Sequence, residues 1–316
     1  MSKKDIFNQL KFSISKASKK EKCSKLYLWL SFIYNFIFES FTPKQFISLK
    51  IYKYKHIEKR KYINHRRAEK IDKCFNDNSI RKYFDDKCLF NSTFFENVKR
   101  KWINLKDCDD KCVIDFFNLY HEAIVKPNDL SGGRGIFKAF NFDDVKSFIG
   151  KNYLLEEVVV NHSEILKFCP NVCNTIRVYT FFDKNGDVNF LAAYLRIGSG
   201  KGVTDNMHSG GGAVPIDWDT GVIIGPKKDY YGNEEHINPY TKNIYIGERI
   251  PLWHLVKNAI YNAATKFKKA RYIAWDVAVT NNNYIEFIEG NVRPDSNLLQ
   301  MSFGPQFYKF KGELKK

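Results

Sequence analysis

Hydrophobic positions along the chain change period about a third of the way in. Through residues 1–80 they recur at helical spacing, as in "IFNQLKFSISK" and "KLYLWLSFIYNFIF". "FTPKQFISLKIYKYKH" adds a helix start, with Pro43 at a first-turn position. "RAEKIDKCFNDNSIRKYFDDK" reads as further helix and turn. From about residue 113 the texture becomes that of strands. "CVIDFFNLY", "EAIVKP", "YLLEEVVV", "TIRVYTFF", "VNFLAAYLRIG", "YIAWDVAVT" and "YIEFIEGN" are the runs that predict them. Helices are expected between them over residues 143–150 and 251–270. Strand runs mixed with helices predict an α+β or α/β core, with no repeats and no low-complexity linkers.

The 316 residues suffice for one large domain or two lobes with a real core. Charge sharpens the division. Residues 1–100 hold 24 Lys and Arg against 10 Asp and Glu, while residues 101–316 hold 27 against 25. Nearly all of the net +16 therefore sits in the front third, which suits either an anionic partner or a solvated lysine-rich face. Residues 1–22 have no apolar core of a signal peptide. The most apolar stretch, residues 27–42, is too short to span a bilayer and is interrupted by Asn35 and Glu39. A buried helix and a membrane-surface helix flanked by lysines both remain open for it. Seven cysteines without secretory context read as reduced cytoplasmic thiols. The three-residue gaps of Cys108/Cys112 and Cys169/Cys173 do not match common zinc spacings, and no histidine pair accompanies them.

Four segments carry chemistry. In "IVKPNDLSGGRGIFKAF" a strand delivers Lys126 to a turn with Gly132, Gly133 and Gly135. Glycines let backbone N–H groups approach an anion and the lysine adds a point charge, although an ordinary β-turn has the same look. In "YLLEEVVVNHSEI" an apolar strand meets Glu156 and Glu157, which suits acceptance from an adenine amino group beside Val158, or a solvent-facing strand end. Residues 174–217 form a hairpin with Arg177 and Arg196 on its strands, followed by a polar loop with Asp205, Asn206 and His208. Two arginines beside a glycine-rich loop suit phosphate or carboxylate oxygens. In "YIAWDVAVTNNNYIEFIEGNVRPD" alternation puts Asp276 on one strand and Glu289 and Asn291 on the next. These three read as hard oxygen ligands for Mg²⁺; the alternative is a buried ion pair of Asp276 with an arginine.

Taken in order, these segments resemble the ATP-grasp family. "NTIRVYTFF…AAYLRIG…TDNMHSGGGAV" is similar to its glutamate-ligase branch typified by ribosomal protein S6 modification enzymes. "WDVAV…YIEFIEGNVRPDSNLLQ" with the helical front end is similar to the sugar-transfer-associated ATP-grasp proteins of polysaccharide gene clusters. The resemblance covers about residues 85–316. It implies an α+β ATP-grasp fold, two lobes clamping ATP, behind a basic helical region of residues 1–84. The nucleotide lobe would span about 113–170 and the metal and substrate lobe about 171–316.

By the same resemblance, Lys126 and Lys87 would hold ATP phosphates, with Gly132, Gly133, Arg134 and Gly135 closing over them. Glu156, Glu157 and Val158 would form the adenine hinge, and Glu164 would reach the ribose. Asp276, Glu289 and Asn291 would hold Mg²⁺, as two ions. Arg177 and Arg196 would stabilise the transferred phosphoryl or acyl-phosphate charge, while Asn206 and His208 would line the acceptor side. The implied activity is a carboxylate–amine ligase working through an acyl phosphate. In surface or capsular polysaccharide synthesis it would join an amino acid to a uronic-acid carboxylate that is free, polymeric or lipid-linked. Two alternatives stay open: a glutamate or peptide ligase acting on a protein, and a basic nucleic-acid- or membrane-binding module without catalysis.

Overall fold

The computed structural model describes residues 3–130, 132–200, 202, 204–207 and 210–314. Its strands are β1 (Trp102–Asn104), β2 (Ala123–Pro127), β3 (Phe137–Ala139), β4 (Tyr153–Glu157), β5 (Ile176–Phe182), β6 (Val188–Ile197), β7 (Gly212–Ile216), β8 (Lys227–Asp229), β9 (Glu234–Glu235), β10 (Tyr272–Val279) and β11 (Ile285–Asn291). The chain divides into two compact units.

The first unit gathers residues 1–75, 228–235 and 295–316, a grouping that a linear reading of the sequence does not give. Its front helices are α1 (Lys3–Glu21), α2 (Lys25–Ile37) and α3 (Pro43–Ser48). Leu10, Ile14 and Leu28 form a buried cluster with Trp29 and Phe32 against it. At α3 the Thr42 hydroxyl accepts from the Gln45 N–H while Gln45 accepts from the Thr42 N–H, and Pro43 takes the first turn. The C-terminal segment is tied in by polar contacts. The Ile63 N–H donates to Gln300 Oε1 at 2.7 Å, Ser48 Oγ lies 2.9 Å from Asn297 Oδ1, and Lys44 pairs with Asp295 at 2.7 Å.

The second unit, residues 76–227 and 236–294, holds two antiparallel arrangements. A small sheet has the order β1-β4-β2-β3. The helix Asp110–Tyr120 covers it, burying Val113, Phe116 and Phe117 with Val125 and Leu155. This helix corrects the strand expected at 112–120. Val113, Phe116, Phe117 and Tyr120 fall at i, i+3, i+4 and i+7, and Asp109 caps the start by accepting from the Cys112 N–H. In the larger sheet β11, β10, β5, β6 and β7 lie side by side in that order. Beneath it the helix Trp253–Lys266 packs Val256, Ile260 and Ala263 into a core that includes Phe84, Phe94, Trp275 and Phe287. No helix among the described residues is long and apolar enough to cross a membrane.

Candidate active site

Strand register assembles the first group of charges. On β10 Asp276 lies opposite Arg177 of β5 on one side and Glu289 of β11 on the other. Arg196 follows two residues after Tyr194, the partner of Arg177 on β6, and so points to the same face. The side chains complete the row. Arg177 Nε and Nη2 donate to the two Asp276 oxygens at 2.7 and 2.5 Å. Arg196 Nη1 donates to Asp276 Oδ2 at 2.8 Å and Nη2 pairs with Asp205 Oδ1 at 2.9 Å. Asp205 in turn accepts from the Thr175 N–H and hydroxyl. Burial alone would raise the Asp276 carboxyl, but the two guanidinium groups hold it below the usual carboxylate range.

The row opens to solvent at Glu289, whose side chain is 38% exposed and 3.7 Å from Arg177. Partial withdrawal from water and the adjacent Asp276 raise the Glu289 carboxyl. Asn291 Nδ2 donates to Glu289 Oε1 at 3.2 Å. As oxygen donors for a hard cation, Glu289 and Asn291 fit. Both oxygens of Asp276 are engaged by arginines, the ion pair that the sequence left as the alternative, so Asp276 reaches a cation only by sharing an oxygen. No cluster of three or more acidic, histidine or cysteine side chains suited to a metal occurs among the described residues.

A second group of charges serves the small sheet. Glu156 on β4 is buried and accepts from Arg100 Nε at 3.0 Å, pairs with Lys126 Nζ at 2.5 Å and accepts from Asn91 Nδ2 at 3.1 Å. Arg100 Nη1 also donates to Glu286 Oε1 at 2.6 Å. Burial pushes the Glu156 carboxyl up, yet Arg100 and Lys126 outweigh it and hold the group at about 2. Glu156 is therefore the counter-ion of Lys126 and Arg100, and both its oxygens are engaged by protein partners. Glu157 accepts from the Lys101 N–H at 3.0 Å, and Val158 is half-buried just beyond the strand. Glu164 is exposed and paired with Lys167.

Lys87 donates to the carbonyls of Pro127, Asn128 and Leu130, fastening the entry to the glycine turn. Gly132, Gly133 and Gly135 all have φ near +70°, which L side chains rarely adopt. A Cβ on Gly133 would lie 3.2 Å from Asn206 Nδ2 and 3.3 Å from Thr204 Oγ1. The glycine turn and the 204–206 loop thus share one place, with Asn206 buried and Arg134 exposed there. His208 lies outside the described residues.

Arg100, Asp205 and Glu286 are the site-supporting charges that site selection from sequence missed. Arg100 sits in the basic run "VKRKW", which has the pattern of a solvated face. Glu286 carried a usable signal, a carboxylate between Ile285 and Phe287 in a strand.

A family model described as sugar-transfer associated ATP-grasp matches residues 147–311, just over half of the chain. No curated protein matches by sequence. Among solved structures, the chain is similar to the ATP-grasp ligase PsnB complexed with a minimal precursor, Mg and ADP. Identity there is 13% and the TM-score 0.47, over 77% of this chain and 62% of that one. It is also similar to N5-carboxyaminoimidazole ribonucleotide synthetase from Thermotoga maritima (11%, TM-score 0.41, 68% and 44%). A third is D-alanyl-alanine synthetase A from Vibrio cholerae O1 biovar eltor (13%, TM-score 0.41, 74% and 61%). The chain spans less than two thirds of the length of each of these proteins.

Proposed function

The chain belongs to the sugar-transfer-associated ATP-grasp family, and on that footing we propose that it is an ATP-dependent ligase joining a carboxylate to an amine. The observation that carries this reading is the row Glu289–Asp276–Arg177–Arg196, two guanidinium groups and two carboxylates aligned across neighbouring strands and open at one end. Phosphoryl transfer needs positioning and charge neutralisation more than covalent help from the protein.

In this proposal Lys126 and Lys87 lie at the phosphate end, and the N–H groups of the glycine turn 132–135 line it. Glu157 and Val158 flank the adenine, with the strand backbone rather than Glu156 reading its edge. Glu164 reaches the ribose only if it leaves Lys167. Glu289 and Asn291, with an oxygen of Asp276, would hold Mg²⁺, as two ions. The metal would neutralise phosphate charge and orient the terminal phosphoryl group. The substrate carboxylate attacks the γ-phosphorus, ADP leaves, and the amine then displaces phosphate from the acyl phosphate. Arg177 and Arg196 face the charge that develops in both steps. Asn206 and His208 belong to the acceptor side.

The substrate class follows from the family's association with sugar transfer. A uronic-acid carboxylate, free, polymeric or lipid-linked, is the acceptor, and an amino acid is the amine, in surface or capsular polysaccharide synthesis in the cytoplasm. The test is ADP release with Mg²⁺ and ATP across a matrix of uronic acids and amino acids, with amide product measured in parallel. ADP that requires one acid and one amine, together with the amide, is the expected result. ATP turnover without amide across the matrix and across polymeric acceptors would sink the proposal. Amide formed only on a protein acceptor would move it to the glutamate-ligase alternative.

A further inference from the structure

Helix α2 has the composition of a helix buried all round and the burial of one covered on a single side. Leu28 and Asn35, two turns apart, are its buried residues. The opposite stripe of Leu26, Leu30, Ile33 and Ile37 is open to solvent, with Leu26 67% and Leu30 58% exposed, and Tyr27 and Tyr34 run beside it. The helix is about 20 Å long, so the stripe is continuous over its length. On α1, Phe12 is 71% exposed.

The charges around this stripe have one sign. From residue 22 to residue 38 the sequence contains no carboxylate, while Lys22 and Lys25 stand exposed at the start of α2 and Lys11 and Lys19 on α1. The two carboxylates that flank this stretch in the sequence have partners: Glu21 pairs with Lys53, and Glu39 with His56. A twofold dimer through this face would set the patch against itself and bring lysines together with no carboxylate between them. An apolar stripe beside tyrosines, rimmed by lysines, instead matches the boundary of an anionic bilayer, where acyl chains accept the stripe and headgroups the ammonium groups.

We infer that α2 with the adjoining part of α1 is a membrane-surface anchor, lying flat in the interface of an anionic bilayer through Leu26, Leu30, Ile33 and Ile37. This inference does not depend on the ligase reading. It makes this the lipid-facing member of the two readings open for residues 27–42.

The full chain is tested by co-sedimentation with vesicles of phosphatidylcholine alone and with roughly one-third phosphatidylglycerol. The expected result is binding to the anionic vesicles only, weakening as salt rises. Leu30→Asp with Ile33→Asp should reduce it by about tenfold or more. Lys22→Glu with Lys25→Glu should reduce it without touching an apolar contact, so a folding defect in the first variant leaves the second to decide. Unchanged far-UV circular dichroism identifies the variants that remain folded. Three outcomes overturn the inference: no sedimentation with anionic vesicles, undiminished sedimentation of both folded variants, or a wild-type dimer in light scattering that the apolar variant dissociates without any vesicle binding. Capture by an acidic protein partner with no lipid binding counts with the first of these.

Discussion

The second unit contains two buried charge networks of similar make-up and opposite design. Between the small sheet and β11, Arg100 pairs with Glu156 and Glu286 and Lys126 with Glu156, two cations against two carboxylates, with Arg100 and both carboxylates almost wholly withdrawn from water. Around the larger sheet, Arg177 and Arg196 face Asp205, Asp276 and Glu289, and the last of these is over a third exposed. The closed network is balanced within itself. The open one carries a carboxylate in excess, aimed at solvent, as a site for a bound cation requires. Burial and closure, rather than residue type, distinguish the two networks.

The largest expected effect breaks the closed network. Arg100→Ala leaves Glu156 and Glu286 buried without their shared partner and should cost about 3–5 kcal/mol in urea unfolding. A loss under about 1 kcal/mol would mean that water reaches these carboxylates and that the two networks do not differ in kind.

Acid should expose the same difference. The Glu156 carboxyl titrates at about 2 in the folded chain against an ordinary 4.5, so the folded-state value is depressed. The stability it contributes is present above pH 4.5 and is lost as pH falls through 4.5 towards 2. The shift corresponds to about 3 kcal/mol, to order of magnitude. In unfolding experiments across this window Arg100→Ala should show a flatter slope than wild type; equal slopes would assign the acid sensitivity elsewhere.

Asp276→Asn is expected to be milder for stability, roughly 1–3 kcal/mol, because Asp205 still pairs with Arg196 and Glu289 lies beside Arg177. ADP release should fall far more than stability does. A variant that unfolds as readily as Arg100→Ala would place the open row among purely structural networks.

What the sequence made legible follows the same line. Alternation along β10 and β11, with the three-asparagine turn between them, was enough to bring Asp276, Glu289 and Asn291 into one hairpin; the one-residue register shift between Asp276 and Val277, which sets Glu289 opposite Asp276 and Phe287 opposite Val277, was not legible. The α+β class and the ordered motifs were readable for similar reasons. The role of Glu156 was not. A carboxylate at a strand end looks alike whether it meets solvent, a ligand or an arginine, and Arg100 lies 56 residues away in the chain. Residues 112–120 were misread because valine, isoleucine and phenylalanine suit strands, while Asp109 and the i, i+3, i+4 spacing settled the helix. The return of residues 295–316 to the helical unit rests on isolated contacts such as Gln300 with Ile63 and Phe310 against Phe75, which leave no periodic trace.

The most direct measurement is calorimetric titration of ATP into wild type and Glu289→Ala, each with and without Mg²⁺. Glu289 lies at the exposed end of its row, so the variant should unfold within about 1 kcal/mol of wild type. Mg²⁺ should strengthen ATP binding to wild type, and this gain should be lost in the variant. An equal gain in both proteins would contradict the claim that the open network holds the metal.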